Sequence, residues 1–175
     1  MINLRIAICG DSYSAVNDLY TCSYDPPFTE SYSWIHELQK QYSVTCYAKS
    51  GSSNLDIVYQ IKRAAKHDLL IVNLSHIIRL SLYTNVKKAP KIDEQSIIKR
   101  NIELAEWIAK RPHSLCWSPF PGYETIPSVH TKYFERENEY FNKNLQGKLT
   151  KHHMTEKGNQ LMAEWALEQI EKRVN

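Results

Sequence analysis

The chain has 175 residues, 42% hydrophobic and 23% charged, with a formal net charge of +3 at pH 7. That length can bury a real core, and the composition reads as one soluble globular domain spanning 1–175. A charge this mild lacks the basic stripe of a nucleic-acid binder, and no apolar run approaches the roughly 18 residues of a membrane span. The first residues show neither a basic segment nor a long apolar run, so no secretory signal is expected. Four cysteines without C-x-x-C spacing read as reduced thiols in a cytoplasmic protein.

In chain order, the apolar stretch from Leu4 to Cys9 predicts a first strand, ended by the turn Gly10-Asp11-Ser12. Residues Asn17 to Ser31 read as a loop with Asp25-Pro26-Pro27 at its middle, and Trp34 to Gln41 as a short helix. Ser43 to Ala48 alternates as a second strand, and Lys49 to Asn54 forms a glycine- and serine-rich turn. A helix follows from Leu55 to Lys66, with Val58, Ile61 and Ala65 on one face and a capping box from Ser53 to Asp56. Asp68 to Leu74 is almost wholly apolar, as expected of a strand buried on both sides. Tyr83 to Asp93 is a basic loop, in which Lys87, Lys88 and Lys91 make a small solvated cluster, and Glu94 to Ala109 is a helix. Ser114 to Trp117 is a fourth strand. The stretch from Tyr123 to Gly147 carries little pattern beyond a short helix over Glu135 to Leu145. Thr155 to Arg173 closes the chain as a helix, with Met162, Ala166, Ile170 and Val174 four apart. Trp107 and Trp165 read as core residues of their helices.

Strands alternating with helices predict an α/β domain with a largely parallel sheet covered on both faces. In such sheets the carboxyl ends of the strands collect functional groups. The Ser12 turn, the Gly51 turn and the segment Ser75 to Arg79 would all open on that one edge. A serine there suits a nucleophile, because the turn exposes its hydroxyl and frees nearby backbone N–H groups. Gly-Asp-Ser alone is equally an ordinary turn, and Gly51 an ordinary turn glycine. The histidine pair His152-His153 near the other end supplies the base such chemistry needs. Its spacing to His76, His113 and His130 matches no zinc pattern, and no metal or cofactor is expected.

The chain resembles the SGNH (GDSL-type) hydrolase family of serine esterases over essentially its whole length. Gly10-Asp11-Ser12-Tyr13-Ser14 is similar to the first family block, Ala48 to Asn54 to the second, and His153 to Gly158 to the last. The resemblance implies a three-layer α/β/α sandwich around a central, mostly parallel sheet of flavodoxin-like kind. It further implies Ser12 as nucleophile and oxyanion donor, the Gly51 N–H as second donor and His153 as general base. Two departures accompany it. After the third strand the family's Gly-x-Asn-Asp is replaced by Leu74-Ser75-His76-Ile77-Ile78-Arg79, leaving Asn73, Ser75, His76 or Asn54 as alternative donors. One such donor is worth on the order of 3 kcal/mol in the transition state. The family's aspartate three residues before the histidine is Thr150 here, which leaves a Ser-His dyad. Asp11, Tyr13, Asn54, Ser75, His76 and Arg79 are the candidate substrate contacts. Tyr13, Tyr20, Tyr24, Phe28 and Tyr32 form either a lid or a packed loop. The expected activity is hydrolysis of a small-molecule or glycan ester, acyl or acetyl, without nucleic acid or membrane. The alternatives are an O-acetyltransferase on the same scaffold and a catalytically degenerate binding protein.

Overall fold

Leu69–Asn73 has all five of its residues buried, so this segment lies where helices cover both sides of a sheet. A computed structural model of the chain, described for residues 4–11, 14, 33–80, 93–131 and 156–174, places it in the middle of five strands. The strands are β1 (Arg5–Cys9), β2 (Ser43–Cys46), β3 (Leu69–Asn73), β4 (Ser114–Trp117) and β5 (Val129–His130). Their order across the sheet is β2-β1-β3-β4-β5, and every neighbouring pair is parallel. The helices are α1 (Trp34–Gln39), α2 (Asn54–Arg63), α3 (Glu94–Ala109) and α4 (Glu156–Val174).

The period-two alternation of each strand divides the core into two layers. Ile6, Ile8, Leu69, Ile71, Leu115 and Trp117 face α1 and α4, where they meet Trp34, Ile35, Leu38, Met162, Ala166 and Ile170. Ala7, Cys9, Leu70, Val72 and Cys116 face the other way, onto Ile57, Val58 and Ile61 of α2 and Ala105 and Ile108 of α3. Each large aliphatic side chain so buried contributes about 1.5–3 kcal/mol relative to exposure. Trp34 meets Trp117 edge to face at 6.1 Å, which pins α1 to the sheet. The result is the three-layer α/β/α sandwich expected from the alternating elements.

Several local readings hold. Ser53 caps α2 with Asp56 as its reciprocal partner, and the Met162, Ala166 and Ile170 stripe is the buried face of α4. Others are corrected. Trp107 is 44% exposed, and the Arg111 guanidinium lies 4.8 Å from its ring centroid, so it is a surface residue and not core. The inward position of α2's last turn is Ala64, while Ala65 is exposed. The two-residue strand β5 gives no periodic signal and went unread in the sequence. Most of the Tyr83 to Asp93 loop, the Glu135 to Leu145 segment and the aromatic loop lie outside the described residues. Among the described residues no helix is long and apolar enough to cross a membrane.

Candidate functional site

The chain reverses its winding direction between β1 and β3, because β2 lies on one side of β1 and β4 on the far side of β3. At such a switch point the turns leaving the two strands diverge to opposite faces and leave a crevice at their carboxyl ends. Gly10 and Asp11 leave β1 there, and Leu74 to Arg79 leave β3. The register Cys9↔Val72, carried one residue further, sets Gly10 beside Asn73. The approach is so close that a Cβ on Gly10 would stand 2.7 Å from the Asn73 Cβ and 3.1 Å from its carbonyl oxygen. Only glycine permits this contact without displacement.

Three side chains that carry no motif signal hold the turns together. Gln60 of α2 accepts from the Gly10 N–H at 2.7 Å and donates to the Gly10 carbonyl at 3.0 Å and to Ser52 Oγ at 3.0 Å. One amide thereby ties the β1 turn to the β2 turn. Lys49 N–H adds a bond to Gly10 O at 3.1 Å. Within the β2 turn, Lys49 O accepts from both the N–H and the hydroxyl of Ser52, and Gly51 adopts φ 77°. The Gly51 N–H makes no hydrogen bond among the described residues.

The β3 turn is clamped from α2, α3 and the segment after β4. Asn54 Oδ1 accepts from the Ser75 N–H at 2.9 Å, while its Nδ2 donates to the Asn101 carbonyl at 3.1 Å and to the Tyr123 hydroxyl at 2.8 Å. The Tyr123 hydroxyl in turn donates to the Ser75 carbonyl. Burial pushes the Tyr123 phenol well above its ordinary range, with Asp11 adding to the shift against the opposing bond from Asn54, so it stays a protonated donor. Asn101 Nδ2 donates to the carbonyls of Ile77 at 2.7 Å and Arg79 at 3.1 Å. Gln60, Asn101 and Tyr123 were missed in the sequence because isolated polar residues on helices and loops have no local pattern.

The candidate residues fall into three groups. Ser12, Tyr13, Thr150, His152 and His153 lie outside the described residues. Asp11, Asn54 and Ser75, expected as substrate contacts, and Asn73, expected as an oxyanion donor, are all fully buried. Asn73 Oδ1 accepts from the Asp11 N–H at 3.3 Å and its Nδ2 donates to Leu74 O at 3.1 Å, so both ends of its amide are engaged. The buried Asp11 carboxylate faces Arg79, whose Nη1 lies 3.5 Å away on a side chain 33% exposed. Gly51, His76 and Arg79 remain at the rim, each partly exposed.

His76 carries the most chemistry among these. Its Nδ1 accepts from the Ile78 N–H at 3.3 Å, and its ring meets Phe120 edge-on at 5.1 Å. Burial first, and the Arg79 charge second, hold its pKa below the ordinary histidine value. Cys9 and Cys116 are buried thiols, the latter raised to about 12 chiefly by desolvation, and neither is poised as a nucleophile. Among the described residues no three His, Cys, Asp or Glu side chains come together as a metal site.

No protein-family model matches the chain. No curated protein matches it either. Among solved structures, it is similar to a psychrotrophic esterase, EstA, from Pseudoalteromonas sp., in a form inhibited by monoethylphosphonate, at 15% identity and a TM-score of 0.45, over 99% of this chain and 100% of that one. It is also similar to a member of the lipolytic G-D-S-L family from Veillonella parvula, at 17% identity and a TM-score of 0.39, over 94% and 97% of the two chains.

Proposed function

We propose that the chain is a serine ester hydrolase, an acyl or acetyl esterase, with Ser12 as nucleophile and His153 as general base. The observation that supports the reading most is the Gly51 N–H, without a partner among the described residues, on a turn bonded to the one that precedes Ser12. Ser12 follows Asp11 by one peptide link in the sequence. In the proposed cycle, His153 takes the Ser12 proton as the oxygen attacks the ester carbonyl. The negative oxygen rests on the N–H groups of Ser12 and Gly51. Collapse expels the alcohol, which receives the proton from His153. Water, deprotonated by His153, then attacks the acyl-enzyme, and the carboxylic acid leaves as Ser12 regains its proton.

Thr150 in place of an orienting acid makes this a slow catalyst, since loss of that acid lowers turnover by up to about 10⁴-fold in serine proteases. The test is covalent labelling by a fluorophosphonate, followed by mapping of the modified peptide. The reading requires Ser12 to be modified in the folded chain and Ser12→Ala to abolish p-nitrophenyl acetate turnover. A folded chain whose Ser12 resists the probe is instead the degenerate binding protein. Transfer of the acetyl group to an added alcohol in preference to water identifies the O-acetyltransferase.

A further inference from the structure

We infer that the outer face of α2 binds single-stranded nucleic acid, with phosphates held by Lys62, Arg63 and Lys66 and a base stacked on Tyr59. The inference is independent of the hydrolase reading. Positions 62, 63 and 66 follow Tyr59 by three, four and seven residues, the spacing of one helical stripe. Tyr59, Lys62 and Arg63 lie on α2, and Lys66 in the turn just beyond it. All four are exposed, Tyr59 at 52%. No acid of α2 offsets the stripe, because Asp56 is buried in the capping box with Ser53. Asp68, the next acid along the chain, is held by Arg5. Lys62, Arg63 and Lys66 form no ion pair among the described residues, whereas Lys40, Lys110 and Lys172 each sit beside a glutamate three or four residues away. The formal net charge of +3 understates this surface, since a sum over the sequence ignores where the acids lie.

Aromatic rings interleave with these cations. Lys62 Nζ lies 5.3 Å from the Tyr59 ring centroid, and Arg63 Cζ lies 5.5 Å from that of Tyr47. The Tyr47 ring meets His67 edge to face at 5.7 Å, so it is fixed on one side and seats the guanidinium on the other. A seated guanidinium recognises phosphate through paired N–H donors. The helix dipole favours cations in the last turn of α2 but does not call for an exposed tyrosine among them. Beside Lys62, an unpaired base stacks on Tyr59 while its phosphate meets the ammonium, which is how single-strand binders combine rings and charge. A duplex keeps its bases inside its own stack and offers none to the ring. An anionic membrane fits less well, because Ile57, Val58 and Ile61 are buried against the sheet and leave α2 no aliphatic side chain to insert below the headgroups.

The test is fluorescence anisotropy with fluorescein-labelled oligothymidylate and oligouridylate, which separate DNA from RNA as the strand preferred. Three phosphate contacts give a slope of about −2 in log affinity against log salt, so binding should weaken about twentyfold between about 50 mM and about 200 mM salt. Arg63→Gln should flatten that slope by about 0.7, and joint Lys62→Gln, Arg63→Gln and Lys66→Gln should remove it together with most of the affinity. Tyr59→Ala should weaken binding about fivefold or more with the slope unchanged, and Tyr59→Phe should retain it. Lys172→Gln on α4, which covers the other side of the sheet, should bind as wild type. Thermal melts check that each variant is folded, and every substituted side chain is exposed. Absence of oligonucleotide binding at the lower salt overturns the proposal, as does an equal loss in Lys172→Gln. Binding that survives Tyr59→Ala unchanged, or a duplex that competes as well as a single strand, makes the stripe a general polyanion surface and overturns it too. Capture on phosphatidylserine vesicles without binding of either oligonucleotide assigns the stripe to a membrane instead and rejects the proposal.

Discussion

Replacing Asn54 by alanine removes three buried hydrogen bonds at once, but their loss is not equal. The Asn101 carbonyl sits inside α3, where the helical ladder supplies another donor, and the Tyr123 hydroxyl keeps its bond to Ser75 O. The Ser75 N–H has no such reserve, since Asn54 Oδ1 is its partner. An orphaned buried donor costs about 1–3 kcal/mol, and each lost bond with a remaining partner about 1 kcal/mol, so Asn54→Ala should lose about 3–5 kcal/mol. Tyr123→Phe orphans the Ser75 carbonyl and should cost about 1–2 kcal/mol. The Asn54–Tyr123 bond is broken by either change, so the double variant should be less destabilised than the sum by about 1 kcal/mol. Against a total of about 10 kcal/mol, the middle of the usual range, all three remain folded at room temperature. For a chain of this size a loss near 4 kcal/mol lowers Tm by about 8–16 °C. Urea unfolding followed by tryptophan fluorescence reads the change, because Trp34 and Trp117 are fully buried. A loss below about 1 kcal/mol for Asn54→Ala, or strict additivity in the cycle, would refute the clamp and its role in holding the β3 turn.

Gly10→Ala drives a methyl group into Asn73, and overpacking of that kind costs about 1–3 kcal/mol; esterase activity should fall further than stability, because the turn leading to Ser12 is what moves. At the opposite end of the sheet, Arg5 donates from Nε at 3.1 Å and Nη2 at 2.9 Å to Asp68, and these bonds lower its pKa from 3.8 to about 2. A depressed carboxylate stabilises the fold above its unfolded pKa and loses that contribution as pH falls from 3.8 to about 2, so acid unfolding of Asp68→Asn should be flatter across that window than wild type. Cys9 and Cys116 should escape iodoacetamide at pH 8 in the folded chain and react once it is unfolded, as peptide mapping would reveal; modification of either before unfolding contradicts their burial. Trp107→Gln, on the exposed side of α3, should cost no more than about 1 kcal/mol in the same urea unfolding, the worth of its exposed contact with Arg111.

The candidate site was only partly legible before folding. The Ser12 and Gly51 turns stand out because glycine and serine after an apolar run are local signals, and both turns leave adjacent strands. Asp11, Asn54, Asn73 and Ser75 have the residue types of a binding site, yet all four are buried supports. Nothing local separates an amide that faces substrate from one that faces a carbonyl 47 residues away, as Asn54 does with Asn101. For the same reason Gln60 passed unnoticed, although it closes on Gly10 across 50 residues.

What the sequence determined by itself is the layering. Apolar alternation makes β1 and β4 two-faced, the uninterrupted run of β3 demands cover on both sides, and the spacing of Met162, Ala166 and Ile170 aims α4 at the sheet. These are periodicities of the backbone itself, set by residues two or four apart. Tertiary structure alone decided the strand order, and with it the crevice between β1 and β3. It also decided which polar atoms were closed against one another and which, like the Gly51 N–H and the His76 Nε2, have no partner among the described residues. A hydrogen bond needs a partner within about 3 Å, and only the packed sheet and its helices bring residues distant in the chain that close.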